Sequence, residues 1–217
     1  IGGSYISLEF AQAFRRFGSE VTVLEGSPQL MFREDEDIAA AAQEVLEQEG
    51  IRFHFNVNVQ RVEQAQHRVD VFFEKDGEEH SVSGSHLLLA VGRVPNSDSL
   101  NLDAAGVKIK ERGYIEVNQV MQTSVPHIYA LGDINGEGAF THTSVNDGEI
   151  FWDHYSGEGD RSLSLRTPTY AMYIDPPLGR VGMGEKEARG SDRNIWMAVR
   201  PMSQIARARE KDETAGL

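Results

Sequence analysis

The sequence predicts an α/β fold: a parallel sheet crossed by helices, joined to a β-meander and followed by smaller mixed segments. Three observations carry this prediction. Apolar residues recur at helical spacing over 4–17 and 37–50, and a glycine closes each run. Short β-branched runs follow each helix, EVTVLE at 20–25 and IRFHF at 51–55. Period-two alternation then takes over across 57–84.

The first helix places Tyr5, Ile6, Leu8, Phe10, Ala11, Phe14 and Phe17 at helical spacing and stops at Gly18. The order helix, strand, helix, strand predicts parallel strands, because each helix carries the chain back across the sheet. The runs VNVQRVEQ, RVDVFFEK and HSVSG read as three meander strands, with Asp-Gly inside KDGEE (75–79) as a hairpin turn. HLLLAVG (86–92) is nearly all apolar and predicts a strand buried on both faces. Residues 93–106 read as loop. YIEVN and HIYALGD (127–133) read as short strands, and 140–157 as a loop entering a helix. A polar stretch, 156–166, reads as a linker. Strands are expected at 169–174, 179–183 and 195–200, with a helix from Glu185.

The 217 residues carry a net charge of −13, a field that repels nucleic acid and anionic membrane. No run of 18 apolar residues is present to span a bilayer. There are no cysteines, hence no disulfide, thiolate nucleophile or cysteine metal site within this chain. No two histidines sit at ligand spacing. The acidic run Glu34–Asp37 is expected to complement the start of the second helix.

The chain opens on Gly2-Gly3-Ser4-Tyr5-Ile6-Ser7, a G-x-G-x-x-G variant with serine at the second and third glycine positions. In that motif the glycines allow a tight turn, close approach of backbone to a pyrophosphate, and close helix–strand packing. The helix start supplies free N–H groups to an anion. A strand then ends at Glu25, about 20 residues on, where a carboxylate accepts from a ribose 2′-hydroxyl and repels a 2′-phosphate. This context predicts a Rossmann-like domain that binds NAD in preference to NADP.

Two further motifs, AVGRVPN (90–96) and TSVPHIYALGD (123–133), stand at fixed spacing from the first. Together the three resemble the pyridine nucleotide–disulfide oxidoreductases, which include lipoamide dehydrogenases, glutathione reductases and mercuric reductases. Val91 replaces the threonine usual in the first of these loops. DPPLGRVGM (175–183) and the RARE-x-x-x-T-x-G pattern are closest to the mercuric-reductase-like branch with the reactive-chlorine-resistance flavoproteins. The resemblance covers almost the whole chain.

The resemblance implies a division into an NAD-binding domain at 1–112, the C-terminal part of an FAD-binding domain at 113–160, and the beginning of an α+β dimerisation domain at 167–217. It implies that Gly2, Gly3, Ser4, Tyr5, Ile6, Ser7 and Glu9 cradle the NAD pyrophosphate. Glu25 would hold the adenosine ribose, Val59 would lie beside the adenine, and Gly92 would approach the nicotinamide end. Glu9 matches a family residue at the nicotinamide–flavin junction; an exposed helix carboxylate in local pairs is the alternative. Asp133 matches the family carboxylate that accepts from a flavin ribityl hydroxyl. Ala139, Phe140, Thr141 and His142 match the helix entry facing the flavin pyrimidine.

On this resemblance the chain is expected to be an internal piece of a longer cytoplasmic, homodimeric flavoenzyme. The implied cofactors are FAD and NAD, with NADH preferred over NADPH. The implied activity passes a hydride from NADH through flavin to a disulfide, a metal ion or another small acceptor. A non-catalytic nucleotide-binding module or redox sensor is the alternative.

Overall fold

A computed structural model describes residues 1–217, which form two compact units. The first contains 1–91 and 171–217; the second contains 92–170.

In the first unit, α1 (Tyr5–Arg16) runs from the glycine turn to Gly18, whose φ of +96° lets the chain reverse. β1 (Thr22–Leu24) and β2 (Arg52–His54) pair in parallel, with Val23 opposite Phe53. The crossover between them is α2 (Glu36–Gln48). Leu8, Val23, Leu30, Ala39, Leu46 and Ile51 form the core beneath these elements, which is the face the helical and strand periods predict.

The meander forms as predicted. β3 (Asn58–Ala65), β4 (Arg68–Lys75) and β5 (Glu78–Gly84) make an antiparallel sheet in that order. Asp76 and Gly77 turn the last hairpin with φ of +54° and +82°, matching the twist of the strands on either side. Val71 and Phe73 pack on Leu24 and Val57, so the meander covers the end of β1.

The Phe73 ring lies between two imidazoles, 5.5 Å from His54 and 5.7 Å from His80. Burial holds His54 below its ordinary value, and Lys75, His80 and Arg52 push the same way. The unfolded chain therefore takes up this proton at higher pH than the folded one. The contribution is complete above the ordinary histidine value and is lost as pH falls through it toward the folded value. Thermal melts should thus lose stability as pH falls below the ordinary histidine value of about 6.5. His54→Phe should flatten that part of the profile, and an unchanged slope would remove His54 as the cause.

Several segments differ from the sequence expectation. HLLLAVG (86–92) forms no regular ladder, although the Ile1 carbonyl accepts from the Ala90 N–H at 2.9 Å. Leu89 and Val91 are exposed at 63% and 70%, so the run is not buried on both faces. The acidic run also splits. Glu36 and Asp37 lie in the first turn of α2, but Glu34 is buried, and Asp35 accepts from the N–H groups of Glu185 and Lys186.

Residues 171–217 join the first unit instead of building a separate core. Strands β6 (Thr169–Met172) and β7 (Leu178–Val181) form a two-stranded sheet, and Met172, Ile174 and Leu178 enter the core around Leu8. The helices Glu185–Arg189 and Ala206–Lys211 are short, as expected of segments with few apolar residues. The expected strand at 195–200 is absent, and Trp196 is fully exposed. Alternating apolar residues make a strand only where another strand takes their backbone hydrogen bonds.

The second unit packs Val107, Ile115 and Ala130 into a small core. YIEVN and HIYALGD contribute single bridges, Ile109 to Ile115 and Gln122 to Tyr129, in place of strands. Positive φ at Arg112 and Gly113 turns the chain between the partners of the first bridge, and positive φ at Met121 bends it beside the second. The long helix (Thr141–Ser156) ends at Gly157, whose φ is +72°. A single turn of helix, Leu102–Ala105, interrupts the stretch read as loop.

Candidate functional site

Each unit carries one group of the residues singled out by the sequence. In the first unit, the turn before α1 is shaped by glycine. Gly2 has φ of +103°, and a Cβ there would stand 2.5 Å from the Ala90 carbonyl oxygen. Its own N–H donates to Leu24 O at 2.9 Å, and its carbonyl accepts from Ser7 Oγ at 2.5 Å. A Cβ on Gly3 would stand 2.7 Å from Glu25 Oε2. The backbone here is packed against its neighbours without room for a side chain, as close approach to a ligand requires.

Ser4 is exposed at the N-cap, and its hydroxyl makes no capping bond. The first helical bond runs from Leu8 N–H to Ser4 O at 3.1 Å, so the N–H groups of Tyr5, Ile6 and Ser7 lie at the open end of the helix. Twelve residues of aligned peptide dipole stand behind them. Arg15 and Arg16 lie at the other end, so no cation within α1 competes with these donors.

Glu25 follows β1 directly. Its N–H donates to His54 O at 2.8 Å, which fixes it at the strand end. Its Oε1 accepts from Ser27 N–H at 2.7 Å, while Oε2 is directed toward Gly3. The carboxylate thus stands beside the glycine turn with one oxygen anchored. Val59 is half-buried in β3 and packs with Leu24 and Phe73. Glu9 accepts the Tyr173 N–H at 2.7 Å, a partner that lies 164 residues away. The residues present fit a dinucleotide: open N–H donors for the diphosphate, and an anchored carboxylate for a sugar.

The second unit holds the other group. Gly92 has φ of +116° with nothing within 4 Å of a Cβ, so its backbone conformation alone calls for glycine. Gly132 has φ of +79°, and its N–H donates to Asp147 Oδ2 at 2.8 Å. Asp133 follows, half-exposed, with Oδ2 2.8 Å from Arg93 Nη1. An exposed pair of this kind is worth little and can exchange for a ligand hydroxyl. Ala139 and Phe140 lead into the long helix, whose exposed first residues are Thr141 and His142. Thr143 Oγ1 accepts from Phe140 N–H at 3.1 Å and donates to Phe140 O at 2.6 Å, which defines the helix start. His142 Nε2 is 2.5 Å from Thr169 O. The half-exposed carboxylate and open helix end fit the sugar and the electron-rich edge of a flavin.

Sequence reasoning missed the support beneath Asp133. Asp147 is 2% exposed and accepts from Gly132 N–H, from Asn135 Nδ2 at 2.7 Å and from the Arg166 guanidinium. Arg166 also donates through Nε to Asn146 Oδ1 at 2.8 Å. A signal for this exists. Taking Ile150 as the buried side of the helix places Asp147 and Asp153 on the same stripe, and both are buried. Buried carboxylates require partners, and the arginines of the stretch read as a linker, Arg161 and Arg166, supply them. Beside this helix opens a polar cleft of about 440 Å³ lined by His142, Asn146, Arg161, Arg166 and Thr169.

A family model described as pyridine nucleotide-disulphide oxidoreductase matches residues 1–148. RclA of Escherichia coli (strain K12), described as a probable pyridine nucleotide-disulfide oxidoreductase, is 38% identical over 218 residues, covering 100% of this chain and 48% of RclA. The mercuric reductase of Staphylococcus aureus is 32% identical over 217 residues, covering 100% of this chain and 40% of the reductase. Among solved structures, the HOCl-induced flavoprotein disulfide reductase RclA from Escherichia coli matches with a TM-score of 0.87 and 37% identity, across 100% of this chain and 49% of that one. The chain spans about half the length of the relatives it matches.

Proposed function

This chain belongs to the pyridine nucleotide-disulphide oxidoreductase family, and from that premise we propose that it supplies the NADH site, and part of the flavin site, of an FAD-dependent oxidoreductase. The family is flavin-dependent; the residue assignments are the reading offered here. Gly2, whose N–H is held by Leu24 O, shapes the turn, and Gly3, Ser4, Tyr5, Ile6 and Ser7 bind the coenzyme diphosphate through backbone N–H groups and the Ser4 hydroxyl. Glu25 binds the adenosine ribose, and Val59 lies against the adenine. Gly92 approaches the nicotinamide end, and Glu9 stands at the junction with the flavin.

Asp133 holds a ribityl hydroxyl of the flavin; of the helix entry at Ala139, Phe140, Thr141 and His142, the N–H groups of Ala139, Thr141 and His142 favour negative charge on the reduced ring, that of Phe140 being taken by Thr143 Oγ1. A bound flavin supplies hydride acceptance from NADH and onward transfer to a disulfide, a metal ion or another small acceptor. The functional division at 1–112, 113–160 and 167–217, with dimerisation through the last, follows the motifs. Packing groups 171–217 with 1–91.

The observation that carries the reading is Glu25: a carboxylate anchored by Ser27 N–H, with its second oxygen beside the glycine turn at the open end of α1. Glu25→Ala should weaken NADH roughly tenfold, as expected for loss of a charged hydrogen bond. It should also narrow the preference for NADH over NADPH, because the charge that repels a 2′-phosphate is gone. Calorimetric titration with both coenzymes measures this. No heat from NADH with the unsubstituted chain, or an unchanged preference in the variant, would sink the proposal.

A further inference from the structure

We infer that residues 173–180 clamp α1 in the position that presents its N–H groups to the coenzyme diphosphate, with Glu34 and Arg180 as positioning residues acting through Tyr5. The inference rests on the NADH reading above and adds Glu34 and Arg180 to its residues.

Three distant segments meet at Glu34. Tyr5, the first residue of α1, donates its hydroxyl to Glu34 Oε1. Arg180 of β7 donates from Nη1 to Glu34 Oε2 at 2.9 Å. The Glu34 and Arg180 side chains are 4% and 17% exposed. A buried ion pair adds little stability over apolar packing, but breaking it leaves an uncompensated charge. Both Glu34 oxygens are engaged, so the Tyr5 ring cannot leave without disturbing a buried carboxylate. Tyr5 also carries one of the open N–H groups at the diphosphate turn, so fixing its side chain fixes that donor.

The same face of α1 is held along its length. Tyr5, Glu9, Gln12 and Arg16 recur at spacings of four, three and four, which places them on one stripe. Glu9 accepts the Tyr173 N–H at 2.7 Å. Gln12, 3% exposed, accepts the Asp175 N–H at 2.7 Å and donates to the Asp175 carbonyl at 2.9 Å. Arg16 Nη1 reaches Asp175 Oδ2 at 2.8 Å. Every polar residue of that stripe is engaged by 173–180 directly, or through Glu34 in the case of Tyr5. Simple packing needs no such match of side chains to backbone groups; holding a helix at one axial position does.

The test uses the full chain with Tyr5→Phe, Glu34→Gln and the double substitution. The probes are NADH, ADP-ribose and adenosine in competition with NADH. Tyr5→Phe removes one hydroxyl and no buried charge, so it keeps the test valid if Glu34→Gln folds poorly. Affinity for NADH and ADP-ribose should fall roughly tenfold in either single variant. Adenosine, which lacks the diphosphate, should compete as before, and the double variant should lose no more than Glu34→Gln. Equal loss for adenosine would mean a merely structural role and would overturn the inference. Unchanged affinities, or additive losses, would overturn it too. No uptake of NADH by the unsubstituted chain overturns the underlying coenzyme reading; uptake untouched by the substitutions overturns only this one.

Discussion

Asp147→Ala is expected to destabilise the second unit by about 3–5 kcal/mol, the usual effect of removing one partner of a buried ion pair. The substitution strands three donors at once: Gly132 N–H, Asn135 Nδ2 and the Arg166 guanidinium. Asn135 Nδ2 retains only the Ala130 carbonyl at 3.1 Å and a weak contact with Met121 sulfur, and Arg166 becomes a buried cation beside neutral groups. Hydrogen exchange should therefore accelerate across the turn at Gly132 and the long helix, while the core around Leu8 keeps its protection. Asp147→Leu with Arg166→Met should recover much of the loss, because replacing both members by apolar groups leaves no unpaired charge. An Asp147→Ala variant within about 1 kcal/mol of the parent would mean that water satisfies these donors, and the turn would not depend on the network.

Gly2→Ala is expected to remove the NADH binding proposed for this turn and to destabilise the first unit by about 3 kcal/mol, summing backbone strain and steric overlap. The φ of +103° disfavours any side chain, and the new Cβ would overlap the Ala90 carbonyl oxygen. That oxygen cannot swing aside as a side chain would, because the neighbouring Ala90 N–H is tied to the Ile1 carbonyl. Gly18→Ala is the control. Its φ of +96° is similar, but no atom lies within 4 Å of the added carbon. It should show the strain alone, about 1–2 kcal/mol. Chemical denaturation of the two variants separates overlap from conformation. Equal losses would show that the turn relaxes around the extra carbon, and the close approach to Ala90 would then have no energetic weight.

The parts legible in the sequence are those in which a residue and its neighbours suffice. The glycine turn, the helix after it and the strand ending at Glu25 can be read together because helical spacing, β-branching and glycine punctuation act over a few residues. The meander is legible for the same reason, since Asp76 and Gly77 accept the positive φ that their hairpin needs. HLLLAVG misleads because apolarity reports only that a segment avoids water, whereas a ladder needs partners on each side. The acidic run misleads because four carboxylates in a row look alike locally. Only the partners of Glu34 and Asp35, found at Tyr5, Arg180, Glu185 and Lys186, separate them from Glu36 and Asp37.

The sequence alone determined the α/β class, the element order through the meander, the glycine turn with Glu25 at the end of the following strand, and the family resemblance. Each depends on short-range periodicity or on motif spacing along the chain. Only the tertiary structure decided that 171–217 shares the core of 1–91, that Asp147 carries the Gly132 turn, and that Glu34, the acceptor of the Tyr5 hydroxyl, meets Arg180 across 146 residues of chain. A buried charge must find its counter-charge wherever folding brings one, and nothing local in the chain records where that will be.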